Sequence, residues 1–141
     1  MNPMIYAILA ATSASFYGLS QKIASRFVDQ LFGAVVISLI AASAGGCLLL
    51  TNWRGQQLYS NPKGLIFLFL SGLAALSIDY FTLKAYGSGL PLSIGGPLII
   101  AVNIALTTLV GISLGEGINL AKVSGLLFVL VGASLLATLG R

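Results

Sequence analysis

The fold is decided by residues 31–51, which read LFGAVVISLIAASAGGCLLLT and contain no charged side chain. A helix needs about 20 consecutive, mostly apolar residues to cross a hydrocarbon layer of about 30 Å. The apolar residues are continuous rather than alternating, and a bilayer accepts only segments that satisfy their own backbone hydrogen bonds. Residues 31–51 are therefore predicted to form a transmembrane helix.

Four further apolar runs flank this stretch, and short polar or glycine-rich segments separate them. The predicted helices cover residues 3–20, 31–51, 64–86, 91–115 and 119–139. Hydrophobic residues make up 57% of the 141-residue chain and charged residues only 7%, whereas soluble domains carry about 25% charged residues. We therefore expect an all-α integral membrane protein, with five transmembrane helices in a single domain and the lipid bilayer as its surroundings.

The composition also argues against several functional classes. The chain has no His and a single Cys, and its three acids, Asp29, Asp79 and Glu116, lie far apart in sequence, so neither a zinc site nor a hydrolytic site is expected. No Gly-Lys-Ser/Thr phosphate-binding motif is present, which argues against ATP use. The seven Lys and Arg residues are scattered singly, which argues against nucleic-acid binding. We expect no enzymatic activity, no metal and no cofactor.

Polar side chains recur along one face of the first predicted helix. Ser13, Tyr17, Ser20 and Gln21 follow one another at three- and four-residue steps, which places them on one side of a helix. Hydroxyl and amide groups are unfavourable against lipid tails, so these side chains are expected to face protein or water. They either form hydrogen bonds between helices or contact a substrate.

Asp79 is the only acid well inside an apolar run, roughly 5 Å from the middle of the third predicted helix at 1.5 Å per residue. A carboxyl group at that depth has to be protonated, paired or hydrated, and an acid within a membrane is by default a candidate functional group. The alternative is a structural ion pair or hydrogen bond, for instance with Lys22 or Lys84.

Lys84 lies near the end of the third predicted helix, one turn after Tyr80. Its aliphatic stem can extend along the helix and bring the charge to the membrane surface, which is the favoured interpretation. The alternative is that Lys84 and Tyr80 form part of an anion-recognising mouth, in which Lys supplies a point charge and Tyr a hydroxyl partner.

The fourth predicted helix combines a hinge motif with polar groups. Gly95, Gly96 and Pro97 occur together near its start, and proline removes a backbone donor while glycine lets an axis bend. A break or kink near Pro97 is therefore expected. Farther along, Asn103 and Thr107 share a face, and Asn103 either bonds a neighbouring helix or contacts a substrate.

The order of these features resembles the EamA-type domain of the drug/metabolite transporter superfamily. The resemblance rests on residues 79–87 (DYFTLKAYG), 91–93 (PLS), 114–116 (LGE), 122–125 (KVSG) and Gly132. The Gly-Glu after the fourth helix and the glycine-rich fifth helix are its best markers. In that family a proline is common midway along the fourth helix, a position that counting back from Gly115-Glu116 places at Asn103, whereas this chain has Pro97.

The resemblance implies a fold and a function. Most members of the family look like two fused copies of a five-helix unit in opposite orientation, with a central cavity lined by the first, third and fourth helices of each copy. This chain resembles one copy, and the implied cavity helices are the three that carry polar stripes. The resemblance implies a multi-pass protein of the plasma (inner) membrane.

The loop charges bear on how a single copy would be arranged. Five spans would place the termini on opposite sides, with three Lys and Arg residues on the side of the N-terminus and four on the other. The first group contains Arg54, Lys63 and Lys122, and the second contains Lys22, Arg26, Lys84 and Arg141. A difference of one barely biases insertion under the positive-inside rule. We therefore expect dual topology and an antiparallel homodimer that forms the inverted repeat.

The expected function is secondary-active transport of a small metabolite or lipid-linked solute by alternating access. In this interpretation Asp79 is the carboxylate that couples transport to an ion or recognises the solute, and Gly95, Gly96 and Pro97 form a gate hinge. The proposed wall and mouth groups are Ser13, Tyr17, Gln21, Tyr80, Lys84, Asn103 and Thr107. The alternative is a non-transporting membrane scaffold or accessory subunit, in which the polar stripes serve only helix packing.

Overall fold

A computed structural model describes residues 3–51 and 63–139. Those residues form five α-helices: α1 (Pro3–Ala24), α2 (Gln30–Thr51), α3 (Lys63–Gly87), α4 (Leu92–Ser113) and α5 (Leu120–Leu139). Every element in the two described ranges is helical, which confirms the predicted all-α class. Arg54 and Arg141, which entered the comparison of loop charges, lie outside the described residues.

Four of the five helices, α2 to α5, are long and apolar enough to cross a membrane. The chain is thus a multi-pass membrane protein by the length and composition of these helices. The described part of α1 does not meet the same criterion, because Thr12, Ser13, Ser15, Ser20 and Gln21 dilute its apolar residues. Membrane crossing by α1 stays a prediction.

Contacts within the chain divide it into two compact units. One unit is Ser20–Ser88, in which α2 packs against α3. The other combines Met1–Leu19 with Gly89–Arg141, and in it α4 packs against α5. Each unit therefore contains one packed pair of membrane-length helices.

Side-chain caps begin two of these helices. The Oδ1 atom of Asp29 accepts hydrogen bonds from the backbone N–H groups of Leu31 and Phe32, at 3.0 and 3.1 Å. At the start of α5, the Oδ1 atom of Asn119 accepts from the N–H of Lys122 at 2.8 Å. Both residues satisfy donors that have no partner within the helix, which explains why α2 and α5 begin where they do.

The end of α4 is a Schellman turn. Gly115 has φ of +92°, the N–H of Glu116 donates to the carbonyl of Gly111 at 3.0 Å, and the N–H of Gly115 donates to the carbonyl of Ile112 at 3.0 Å. Glycine adopts this left-handed conformation without steric penalty, and the two hydrogen bonds satisfy carbonyls at the helix end. The turn reverses the chain and places Glu116 over the last turn of α4.

Candidate functional site

Four polar side chains are buried in the described part of the chain: Gln21, Ser25, Asp79 and Thr82. All four belong to the unit Ser20–Ser88. Gln21 lies in the last turn of α1 and Ser25 directly follows that helix, while Asp79 and Thr82 are about one turn apart on α3. We call these four residues the buried polar cluster. Burial of polar side chains is unfavourable unless they are hydrogen-bonded, so this cluster is a candidate functional site.

The centre of the cluster is a hydrogen bond between two helices. The Nε2 atom of Gln21 donates to Oδ1 of Asp79 at 3.1 Å, and the two residues are only 2% and 5% exposed. This contact joins two of the predicted site residues and places the acid against a neutral amide. A neutral donor can hydrogen-bond the carboxyl group in either protonation state, so the contact is compatible with an acid that gains and loses a proton.

Lys22 and Tyr86 lie on the side of the cluster toward the helix ends. The Nζ atom of Lys22 donates to the backbone carbonyl of Tyr86 at 3.3 Å and lies 5.5 Å from the centre of the Tyr86 ring. The carbonyl belongs to the last turn of α3, where unpaired carbonyls attract cations, and the ring face adds a cation–π attraction. Lys22 thus ties the end of α1 to the end of α3.

Close packing of α2 supports the same end of α3. Leu83 and Ala34 are both completely buried, and a Cβ atom added at Gly33 would lie 2.9 Å from Cδ1 of Leu83. Glycine is therefore needed at position 33 for α2 to approach Leu83, because interiors are packed without spare volume. Leu83 lies between Thr82 and Tyr86 in the sequence, so this packing helps to fix the turn of α3 that carries them.

Tyr80 and Lys84 pair with each other on a more exposed part of α3. The Nζ atom of Lys84 lies 3.5 Å from the Tyr80 hydroxyl and 5.5 Å from the centre of its ring. Lys84 is exposed and lies in the last turn of α3. Both sequence interpretations, a charge that reaches the membrane surface and a mouth for anions, are compatible with this geometry.

The remaining predicted wall groups, Ser13, Tyr17, Asn103 and Thr107, belong to the other unit. All four are exposed on the isolated chain. The Ser13 hydroxyl donates to the carbonyl of Leu9 at 2.9 Å, and the Thr107 hydroxyl donates to the carbonyl of Asn103 at 2.8 Å. These two hydroxyls are therefore satisfied within their own helices. The structure brings together Gln21 with Asp79 and Tyr80 with Lys84. Ser13 and Tyr17 lie one turn apart on α1, and Asn103 and Thr107 lie one turn apart on α4.

The predicted hinge lies within a continuous helix. The residues Gly95, Gly96 and Pro97 fall in the first two turns of α4, which runs on to Ser113 without interruption. The expected break near Pro97 is therefore wrong, whereas a kink without a break stays a prediction. Pro97 has no N–H group, so α4 lacks one backbone hydrogen bond at that position. The preceding turn is held by the N–H groups of Ile94 and Gly95, which both donate to the carbonyl of Pro91. The gate hinge stays a prediction.

A second polar contact, which the sequence did not predict, lies between α4 and α5. The Nζ atom of Lys122 and Oε2 of Glu116 are 3.4 Å apart. They border a groove of about 360 Å³ between the two helices. The sequence feature that could have indicated this contact is Glu116, directly after Gly115 at the end of α4, with Lys122 in the first turn of α5. Ser25 was also missed, although it lies one turn after Gln21.

Metal ligands do not gather in the described part of the chain: residues 3–51 and 63–139 contain no group of three His, Cys, Asp or Glu side chains that could hold an ion. The buried polar cluster offers hydrogen-bonding groups and one titratable carboxyl group, that of Asp79. Comparison of the sequence and fold with known protein families, curated proteins and solved structures finds no match.

Proposed function

We propose that this chain is one half of a secondary-active transporter, which moves a small metabolite or lipid-linked solute across the plasma (inner) membrane by alternating access. The observation that carries the proposal is the buried contact between Gln21 and Asp79 on a membrane-length helix. The resemblance of the sequence to an EamA-type domain supports the same function. In this proposal the chain is not an enzyme and needs no cofactor.

Asp79 is the coupling group in this mechanism. A carboxylate within a membrane segment is strongly disfavoured unless it is protonated or receives hydrogen bonds, so its protonation state and its partners are linked. The Gln21 amide stabilises the acid when no solute is bound. A solute or ion that competes for the carboxyl group would release Gln21, and this exchange of partners would link binding to movement of α1 against α3.

Asn103 supports the participation of a second copy. It lies near the middle of α4 and is exposed on the single chain. Within residues 3–51 and 63–139 its side-chain amide makes no hydrogen bond. An amide at that depth would be unfavourable against lipid tails, so protein or water has to cover it. An antiparallel homodimer would enclose Asn103, together with Ser13, Tyr17 and Thr107, in a hydrated cavity.

The antiparallel arrangement requires α1 to cross the membrane, so that the chain has an odd number of spans. Loop charges of three and four then leave the insertion direction almost unbiased. Reporters fused to the C-terminus that are active only inside or only outside the cell should both give signal. Signal from a single side would rule out the antiparallel dimer.

The transport proposal is tested by replacing Asp79 in the purified, full-length protein. A thermal-shift screen against a panel of small metabolites, at one pH above and one below neutrality, identifies a solute, and its uptake into proteoliposomes is then measured. Asp79→Asn keeps the shape of the side chain but removes the titratable proton, so we expect uptake to lose its pH dependence. Asp29→Asn is the matched control, because asparagine also caps a helix and Asp29 lies outside the spans. Unchanged pH dependence in Asp79→Asn would contradict the coupling role.

A non-transporting scaffold is the second candidate, and one observation favours it. The hydroxyls of Ser13 and Thr107 bond to carbonyls of their own helices, so their presence does not require a hydrated cavity. A scaffold predicts that no solute shifts the melting temperature at either pH. It also predicts that Asp79→Asn changes the stability of the protein and nothing else.

A further inference from the structure

We propose that the groove between α4 and α5 binds a membrane phospholipid with a primary-ammonium zwitterionic headgroup, of the phosphatidylethanolamine type. The proposal is independent of the transport function, because the groove is lined by neither Asn103 nor Thr107 of α4 and carries another polar pair. It rests on the shape of the groove, on the charges at its mouth and on the polarity of the two helix ends that meet there.

The groove has the dimensions and lining of an acyl-chain site. Its volume is about 360 Å³, and its walls are formed mostly by apolar side chains, among them Ile104, Ile112, Leu126 and Val129. The α4 wall runs from Ile104 to Ile112, which is about 12 Å at 1.5 Å per residue. One leaflet of the hydrocarbon layer is about 15 Å thick. A single acyl chain of one leaflet therefore matches the groove.

Gly125 opens the groove on the side of α5. It lines the groove, and a Cβ atom added there would meet no other atom within 4 Å. The missing side chain leaves space that a larger residue would fill. Since α4 and α5 are both long and apolar enough to span the membrane, the groove between them is open to the lipid chains of the bilayer.

The mouth of the groove carries one charge of each sign. Lys122 and Glu116 are 3.4 Å apart and their side chains are 43% and 66% exposed. A charge-assisted hydrogen bond is about 2.7–2.9 Å long, so the contact leaves both groups free to approach a further charged partner. A ligand with both a phosphate and an ammonium group can satisfy the two at once, with phosphate at Lys122 and ammonium at Glu116.

The helix ends reinforce this polarity. Lys122 lies in the first turn of α5, where the helix dipole favours an anion, and Glu116 folds over the last turn of α4, where the dipole favours a cation. The phosphate and ammonium groups would therefore each meet a side chain and a helix end of opposite sign. An anionic lipid such as phosphatidylglycerol would place no cation at Glu116, and the quaternary ammonium of phosphatidylcholine has no N–H to donate to it.

Native mass spectrometry of the purified full-length protein tests the proposal, with the three lipids carrying identical acyl chains. We expect the wild-type protein to retain phosphatidylethanolamine about tenfold better than either of the other two. Gly125→Leu should lower this binding about tenfold by filling the groove. Gly132→Leu is the matched control, because Gly132 lies on the same helix, is equally open and is not part of the groove lining.

Glu116→Gln supplies a second readout that does not depend on packing. Removal of the carboxylate leaves the Lys122 charge at the mouth without its counter-charge, so the preference should change from phosphatidylethanolamine to phosphatidylglycerol. Equal retention of the three lipids by the wild-type protein, or equal effects of Gly125→Leu and Gly132→Leu, would overturn the proposal. A change in oligomeric state in Gly125→Leu with unaltered lipid binding would also overturn it, because the groove would then hold a second copy of the chain.

Discussion

Two polar contacts in this chain have similar lengths and opposite surroundings. Gln21 and Asp79 are 3.1 Å apart and almost completely buried, whereas Lys122 and Glu116 are 3.4 Å apart and exposed. Water can replace a lost partner at the exposed pair but not at the buried one. From this difference we expect the surroundings of a polar contact, rather than its length or its formal charge, to determine how much it contributes to stability.

The buried contact is predicted to be the more important of the two, although only one of its members can carry a charge. Gln21→Leu removes the amide and leaves the buried carboxyl group of Asp79 without this donor. We expect the free energy of unfolding to fall by about 1–2 kcal/mol, the range for hydrogen bonds between helices within membranes. Titration of the purified protein with a denaturing detergent measures the change.

The control for Gln21→Leu is the double variant Gln21→Leu/Asp79→Leu. Replacement of both partners by apolar side chains removes the buried carboxyl group together with its amide donor, so the double variant should be more stable than Gln21→Leu alone. A double variant that loses at least as much stability as the two single variants together would show that Gln21 and Asp79 act independently.

The sequence predicts the membrane helices and the importance of Asp79, but it does not predict which side chain pairs with Asp79. The apolar run of residues 31–51 predicts a membrane helix from its length alone, and Asp79 is conspicuous because it is the only acid deep in such a run. Helical periodicity shows which side chains share a face of one helix, yet it does not show which face of another helix they meet. The sequence therefore predicts Gln21 as a site residue, but it suggests Lys22 or Lys84, rather than Gln21, as the partner of Asp79.

The contact between Glu116 and Lys122 escaped prediction for a related reason. It depends on the Schellman turn at Gly115, which folds the Glu116 side chain back over Gly111. The Gly-Glu sequence is visible, but the direction of the side chain after a left-handed glycine depends on the packing of the helices on either side. The polar residues of α1 lower its apolar character below that of α2 to α5. Membrane crossing by α1, on which the proposed antiparallel dimer depends, therefore stays a prediction.

Two glycines lie close to the two contacts, Gly33 against Leu83 on α3 and Gly111 against the Glu116 carboxylate. A Cβ atom at Gly33 would lie 2.9 Å from Cδ1 of Leu83, and one at Gly111 would lie 3.0 Å from the carboxylate of Glu116. Leu83 is completely buried and has little room to move aside, whereas Glu116 is exposed and can move. We expect Gly33→Ala to destabilise the protein by about 1 kcal/mol through overpacking.

Gly111→Ala should instead leave stability unchanged or raise it by up to about 0.5 kcal/mol, because alanine favours the helix and the Glu116 side chain moves away. Thermal unfolding of both variants in the same detergent measures this difference. Gly45→Ala on α2 calibrates the effect of helix propensity alone, because a Cβ atom there meets nothing within 4 Å. Equal losses at positions 33 and 111 would mean that the surroundings of the two glycines are equally rigid.

The smallest effect is expected at the exposed pair itself. Glu116→Gln removes the ionic attraction to Lys122 in a region where both side chains are open to solvent, so the free energy of unfolding should fall by about 0.2–1 kcal/mol in lipid-free detergent at low salt. Because ions screen exposed charges, the loss should shrink when the salt concentration is raised. Lys122→Gln should give the same loss, and the double variant should lose little more than either single one. A loss as large as that of Gln21→Leu and independent of salt would mean that Glu116 and Lys122 are shielded from water, and the two contacts would then no longer differ in the property that separates them.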